Sequence, residues 1–587
     1  MKKYKIQDLE KLLRNAEINV FNIEGLGFPI VDMNFLKERS RAKRKEATEA
    51  ELDLFAYYGK VIWLIEWTTE KGIKTYDFDN FVRKIEILNE KKSNLRELIN
   101  RIEQKFGEKI PFNEAEIRVI GLYVNPTLTE TQAKTLEQRL LPRHRSLIYL
   151  WDGDTFEYFR VVCNTIRRFS KYELFTYFNI NPELVFNAKD LEGRRGAPPY
   201  PAIKIERGVF GYPTYTFKIA PLLLLERCYV LRNEGWRSDS FQRMVLPKKL
   251  ANIREYILRT RNTSFANNII ISPSPEINAN EIVEETKGGQ VYIHIPFQFS
   301  SFCIVDGQHR LLAFTQDFYG QHDPKEKDRD KLLRKLSEES EIIVTLVKFS
   351  GNKEEILRKQ ATLFKDINST QTKVKTDFIY NLLEIIEPLH PESLGNKVIK
   401  YLNNKEDGVL KDKFEIKSLP SYKGRIKRAS IVRWGLADLV DIKKHFLYPI
   451  APQNIKDKLK QGIINSYVKF CGDKLEKYFR CIKRVFEQKY KEDVWDHWRK
   501  CGYMILSTSA IVGFLRLYRH FIKNDIIDNR KQIEKRLKAI KVDFKKENYR
   551  YTSSQWAKLE EAMFDDIRKE FPDFGDESLI KRSKKQR

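Results

Sequence analysis

The sequence predicts a multidomain α/β protein, with two α/β domains in succession followed by a mainly helical one. Three observations carry that prediction. The first third shows paired alternating strands and then strand, helix and strand. The middle shows an apolar strand that breaks at a glycine and runs straight into an apolar helix. Beyond about residue 395, apolar residues recur at three- and four-residue spacing and strand patterns cease. A chain of 587 residues has length for about three to four domains. The expected divisions are 1–192, a linker at 193–201, then 202–394 and 395–587. The linker is read from Gly193-Arg-Arg-Gly-Ala-Pro-Pro-Tyr-Pro201, where Gly and Pro in quick succession argue against helix and sheet alike. A softer break follows at Pro391 to Asn396, after a helix expected over Asp377 to Ile386.

In the first part, Ala50 to Thr69 reads as two alternating strands joined by a turn at Tyr58-Gly59-Lys60. Asp53 falls in the first strand and Glu66 at the end of the second, so an antiparallel pairing brings both carboxylates to one point. Two carboxylates beside a sheet are what a Mg²⁺ ion for phosphodiester hydrolysis requires, and Glu51 completes the candidate metal ligands. A third strand is expected over Ile117 to Asn125, a helix over Thr129 to Arg139 and a fourth strand over Ser146 to Trp151.

In the middle part, Cys303-Ile-Val-Asp-Gly-Gln-His-Arg-Leu-Leu-Ala-Phe314 is built like a phosphate site. Gly307 lets the backbone turn sharply, the following helix aims its positive end at the same point, and Arg310 supplies a planar cationic fork. Gln308 adds a further polar contact. His309 is placed to donate to a phosphate oxygen or move a proton, with Asp306 orienting either it or a metal-bound water. Gln242, Arg243, Lys248 and Lys249 precede a helix beginning near Leu250 and are expected to line the opposite wall. Asn368 and Gln371 are candidates for base or sugar contacts, with helix capping as an equal alternative.

The remainder reads as helices over Ile431 to Asp441, Ile455 to Phe486 and Cys501 to Phe521, with no catalytic signature. Its last residues, Ile580 to Arg587, form a basic tail. With 107 Lys and Arg against 81 Asp and Glu, the net charge of +26 favours a polyanionic partner. Six cysteines show no metal-ligand spacing and read as buried thiols of a reducing cytosol. The N-terminus lacks the apolar core of a signal peptide, and the longest apolar stretch, around Tyr503 to Leu515, is too short to span a bilayer. A cytoplasmic protein is expected.

The residues of the middle part carry a resemblance. Asp306-Gly-Gln-His-Arg310, the upstream block Phe241 to Ile257 with Asn267 to Ser272, and the downstream block Leu363 to Val374 resemble, in that order, the DGQHR-domain family of DndB-type DNA-phosphorothioation components. The resemblance covers roughly residues 200 to 385. It implies a ParB/sulfiredoxin-like α/β fold whose Gly-x-x-Arg turn holds nucleotide phosphates, hence ATP or another nucleoside triphosphate as cofactor. The first part resembles the PD-(D/E)xK restriction-endonuclease core. That resemblance implies Mg²⁺ and DNA cleavage, but the position two after Glu66, where the catalytic lysine belongs, is Thr68. Lys60, Lys71 and Lys74 are the candidates to replace it.

Two functions follow. One is an enzyme of a DNA-modification or anti-phage defence system, a DNA-dependent nucleoside triphosphatase or a Mg²⁺-dependent nuclease. The other is a non-catalytic DNA-binding regulator or specificity subunit. DNA and further subunits of such a system are the expected partners; self-association is left open and no membrane is expected.

Overall fold

A computed structural model describes residues 4–29, 49–111, 116–232, 242, 244–260, 265, 267–275, 281–315, 324–371, 376–416, 424–444, 446–551 and 555–580. The chain divides into two compact units, Met1–Phe364 and Lys365–Arg587.

The first unit holds two large sheets. One has five strands in the order β1 (Asn19–Asn22), β4 (Leu54–Tyr58), β5 (Val61–Trp67), β6 (Arg118–Val124), β7 (Ile148–Trp151). The β4–β5 hairpin is antiparallel, whereas β5, β6 and β7 run parallel. Its turn needs Gly59, which sits at φ +58° with Leu184 O 2.6 Å from where a Cβ would stand. The parallel crossover from β5 to β6 is made by two helices, Thr75–Glu90 and Lys92–Phe106. Phe78, Phe81, Ile85 and Leu88 turn one side of the first into the core. A small ribbon pairs β2 (Phe28–Pro29) with β3 (Glu49–Ala50).

The second sheet has eight strands in the order β10 (Cys228–Tyr229), β14 (Phe302–Asp306), β11 (Ile269–Pro273), β15 (Ile342–Val347), β9 (Thr214–Ile219), β8 (Tyr200–Ile205), β13 (Gln290–His294), β12 (Val283–Lys287). Its buried side shares one core with the first sheet, with Trp63, Trp151 and Phe159 in the same cluster as Phe217, Ile304 and Val344. Ion pairs reinforce the contact, Arg194 reaching Glu226 at 3.0 Å and Arg232 reaching Glu173. The stretch 193–201 departs from expectation. A helix Ala188–Arg195, capped by Asn187, runs through Gly193, and strand β8 includes Pro201. Tertiary anchoring of Arg194 outweighs the small intrinsic penalty of one helical glycine.

The second unit is mostly helical, as expected, with different ends. The stretch 455–486 is two helices, Gln453–Lys460 and Asn465–Tyr490, broken where Gly462 takes φ +82°. Residues 501–507 are not helical, and the helix Thr508–Lys523 follows with Ser507 as its cap. Cys163, Cys303, Cys471 and Cys481 are buried thiols, but Cys228 is half-buried and Cys501 exposed. Among the described residues no helix is long and apolar enough to cross a membrane.

Candidate functional site

The strand-turn-helix expected at the centre is present. Strand β14 ends at Asp306, Gly307 takes φ +95°, and a helix spans Gln308–Leu312. A Cβ at Gly307 would lie 3.0 Å from Arg310 Nη2 and 3.1 Å from Ile269 Cγ1, so the glycine serves both the left-handed turn and the close approach of Arg310. The helix has only five residues, which makes its dipole a smaller contribution than the sequence suggested.

Side chains at the turn divide into two groups. Gln308 and His309 are buried, and His309 Nε2 accepts from the Leu246 N–H at 3.1 Å. That nitrogen therefore acts as an acceptor within the fold. Asp306 and Arg310 instead remain about a fifth exposed and form an ion pair of 3.0 Å. Arg310 Nη2 also donates to the Asn268 carbonyl at 3.0 Å. Its Nε is buried without a hydrogen-bond partner among the described residues.

Strand register carries this pair onto a surface. Asp306 pairs with Ile270, Ile270 with Thr345, Thr345 with Thr216 and Thr216 with Ile203, so the five share one face of the sheet. A polar chain runs along the row: Asn268 Nδ2 donates to Thr345 Oγ1 at 2.9 Å, and Thr345 Oγ1 meets Thr216 Oγ1 at 3.3 Å. The alternate positions Ile269, Val344, Phe217 and Ala202 are buried in the core on the other side, and the register slips by one residue at Val305, between the Ile271–Ile304 and Ile270–Asp306 pairs. Exposure rises along the row to 71% at Ile203. Asn268, Thr216 and Thr345 were not read as site residues; the pairing of their strands was the missing information.

Gln242 is buried, and its side-chain amide donates to the Ile304 carbonyl, bracing β14 from within rather than lining a wall. Lys248 and Lys249 are exposed at the start of the helix Pro247–Thr260. They follow closely on Leu246, whose N–H is bonded to His309, and so stand beside the turn. Arg243 lies outside the described residues, as do the basic tail from residue 581 and the side chain of Gln371. Asn368 is half-buried on the helix Lys353–Gln371, in the part assigned to the second unit. Behind the turn, a cavity of about 30 Å³ lined by Ile304, Leu311 and Leu312 is far below nucleotide size.

In the first sheet the carboxylates do converge. Continuing the Leu54–Ile65 register by one step sets Asp53 opposite Glu66. The Trp67 N–H donates to Asp53 Oδ2 at 2.6 Å. Lys84, from the Thr75–Glu90 helix, lies 2.8 Å from Glu66 Oε2 and donates to the Glu51 carbonyl at 2.7 Å. Burial raises both carboxyl pKa values; Lys84 opposes this at each, and the Trp67 N–H also opposes it at Asp53. Of the three lysines proposed to replace the missing one, Lys60 pairs with Glu116, Lys74 pairs with Glu70 and Lys71 is exposed. The cation present is Lys84, hidden from the motif because it arrives on the crossover helix. Glu51 contributes a carbonyl to Lys84 while its side chain is exposed, and among the described residues no three acidic, His or Cys groups gather around a metal position. The hard-oxygen pair Asp53 and Glu66 fits Mg²⁺, an ion that keeps several waters and needs only one or two carboxylates.

The class defined so far is a mixed α/β protein with two sheets and a mostly helical C-terminal region. Residues 201–379 match the family model described as DndB, DNA-sulfur modification-associated, so the chain carries a DndB domain. No curated protein and no solved structure matches the chain.

Proposed function

We propose that this chain is a DNA-binding protein of a DNA-sulfur modification system, and that the open face of the eight-stranded sheet meets the DNA backbone with Arg310 at a phosphate. One observation carries the reading: within the residues matching the DndB model, the Asp306–Arg310 pair ends a row of half-exposed to exposed residues across one sheet face. Asp306 orients the guanidinium, and Thr216, Thr345 and Asn268 offer polar contacts beside it. The net charge of +26 supplies long-range attraction. An exposed face suits a duplex, whereas turnover of a nucleoside triphosphate calls for an enclosed site. The role is then that of a regulator or specificity component, working with other subunits of the system.

The test is binding of the full chain to duplexes with and without phosphorothioate linkages, with ATP as competitor. At low salt the parent binds duplex, and Arg310→Ala weakens binding about tenfold or more, the loss of one charge-assisted contact. Absence of duplex binding by the parent overturns the reading.

A second reading is favoured by Lys84. With Asp53 and Glu66 it forms the acid, acid and lysine set of a phosphodiester hydrolase. Asp53 and Glu66 would hold Mg²⁺, which supplies Lewis-acid activation when bound. Lys84 would stabilise charge developing on the phosphate oxygens. Mg²⁺-dependent plasmid nicking by the parent, lost in Asp53→Asn, supports this reading; equal nicking by both removes the site.

A further inference from the structure

We infer that the helices Asn465–Tyr490 and Arg530–Lys538 of the second unit form a separate surface for the backbone of duplex DNA. This rests on the DNA-binding reading above and adds a second contact area to it.

Charge is distributed unevenly in this unit. The Asn465–Tyr490 helix carries seven Lys and Arg against three acids, and Arg530–Lys538 carries five against one. The helix Trp556–Glu570 has the opposite balance, three against five. The two basic helices pack together, with Arg484 of the first paired to Glu534 of the second. Lys477, Arg480 and Arg484 recur at three- and four-residue spacing and so share one stripe. Beside that stripe opens a cleft of about 540 Å³, lined by five Lys and Arg, Lys411 and Arg480 among them, and by the four acids Asp407, Asp412, Glu487 and Asp496. Asp496 holds Lys413 at 2.7 Å and Lys483 at 2.8 Å, fixing two cations at its rim.

Other cations on this surface are not committed. Lys411, Lys477 and Lys531 make no ion pair among the described residues, and Lys477 and Lys531 are exposed. Together the two helices carry twelve Lys and Arg against four acids, some of the cations held in ion pairs and some free, an excess complementary to a line of phosphates.

The experiment uses the full chain with Lys411, Lys477 and Lys531 all replaced by Ala. The expected result is an unchanged melting temperature with a salt dependence of duplex affinity shallower by roughly 2 to 3 in log K against log salt. A triple variant that binds duplex like the parent, while Arg310→Ala weakens binding, overturns this surface and leaves the sheet-face reading standing. A parent that binds no duplex overturns both. A triple variant that keeps its duplex affinity but loses binding to poly-glutamate assigns the surface to an acidic protein and also overturns the inference.

Discussion

Arg310 and Asp306 are locked to each other across the Gly307 strand-to-helix turn, Nη2 to Oδ2 at 3.0 Å, while the same nitrogen holds the Asn268 carbonyl. The cation of the motif is thus pre-positioned by its first residue and by the neighbouring strand, at the edge of an open sheet face. Little side-chain entropy remains to be lost when a phosphate arrives.

Gly307→Ala should disturb this arrangement twice over. A left-handed alanine costs about 1–2 kcal/mol, and the new Cβ would press on Arg310 Nη2 at 3.0 Å and Ile269 Cγ1 at 3.1 Å. Chemical denaturation should show the loss of stability, and duplex titration a parallel loss of affinity.

Gln242→Ala should separate bracing from binding. Its buried amide donates to the Ile304 carbonyl, and leaving that acceptor unpaired costs about 1–3 kcal/mol. The salt slope of duplex binding should stay that of the parent, since no phosphate contact is removed.

Lys84→Met should strand Glu66, with a stability loss of about 3 kcal/mol, at the low end for a broken buried pair because Glu66 keeps partial exposure. Any Mg²⁺-dependent nicking should disappear with it. Lys60→Ala and Lys74→Ala, which remove surface partners of Glu116 and Glu70, should leave both readouts unchanged.

The helical unit should weaken in mild acid. Burial pulls the His520 imidazole below its usual 6.5, against the opposing pull of Glu560. The unfolded chain then takes up a proton below about pH 6.5 that the folded one refuses, so this contribution is present above that pH and is lost as pH falls towards the folded value. Melting temperature between pH 7.5 and 5.5 should fall more steeply for the parent than for His520→Phe.

Local chemistry was legible in the sequence wherever the determining residues were neighbours. Gly59 and Gly307 marked their turns, and the β4–β5 hairpin brought Asp53 to Glu66 as its alternation required. What escaped depended on distant pairing. Lys84 enters from a crossover helix whose Phe78, Phe81, Ile85 and Leu88 spacing was a readable signal that went unused. Asn268 precedes β11, Thr345 lies in β15 and Thr216 in β9, and only sheet order makes them neighbours. Gln242 looked like a surface amide until its burial beneath β14 gave it an internal partner.

The most direct test of the sheet face uses Ile203, which is 71% exposed and lies at the far end of the row from Asp306. Duplex affinity should fall in Ile203→Glu and rise in Ile203→Lys, both with the melting temperature of the parent, because a charge there meets phosphates only if DNA covers that face. Equal affinity for the two variants and the parent would contradict the account.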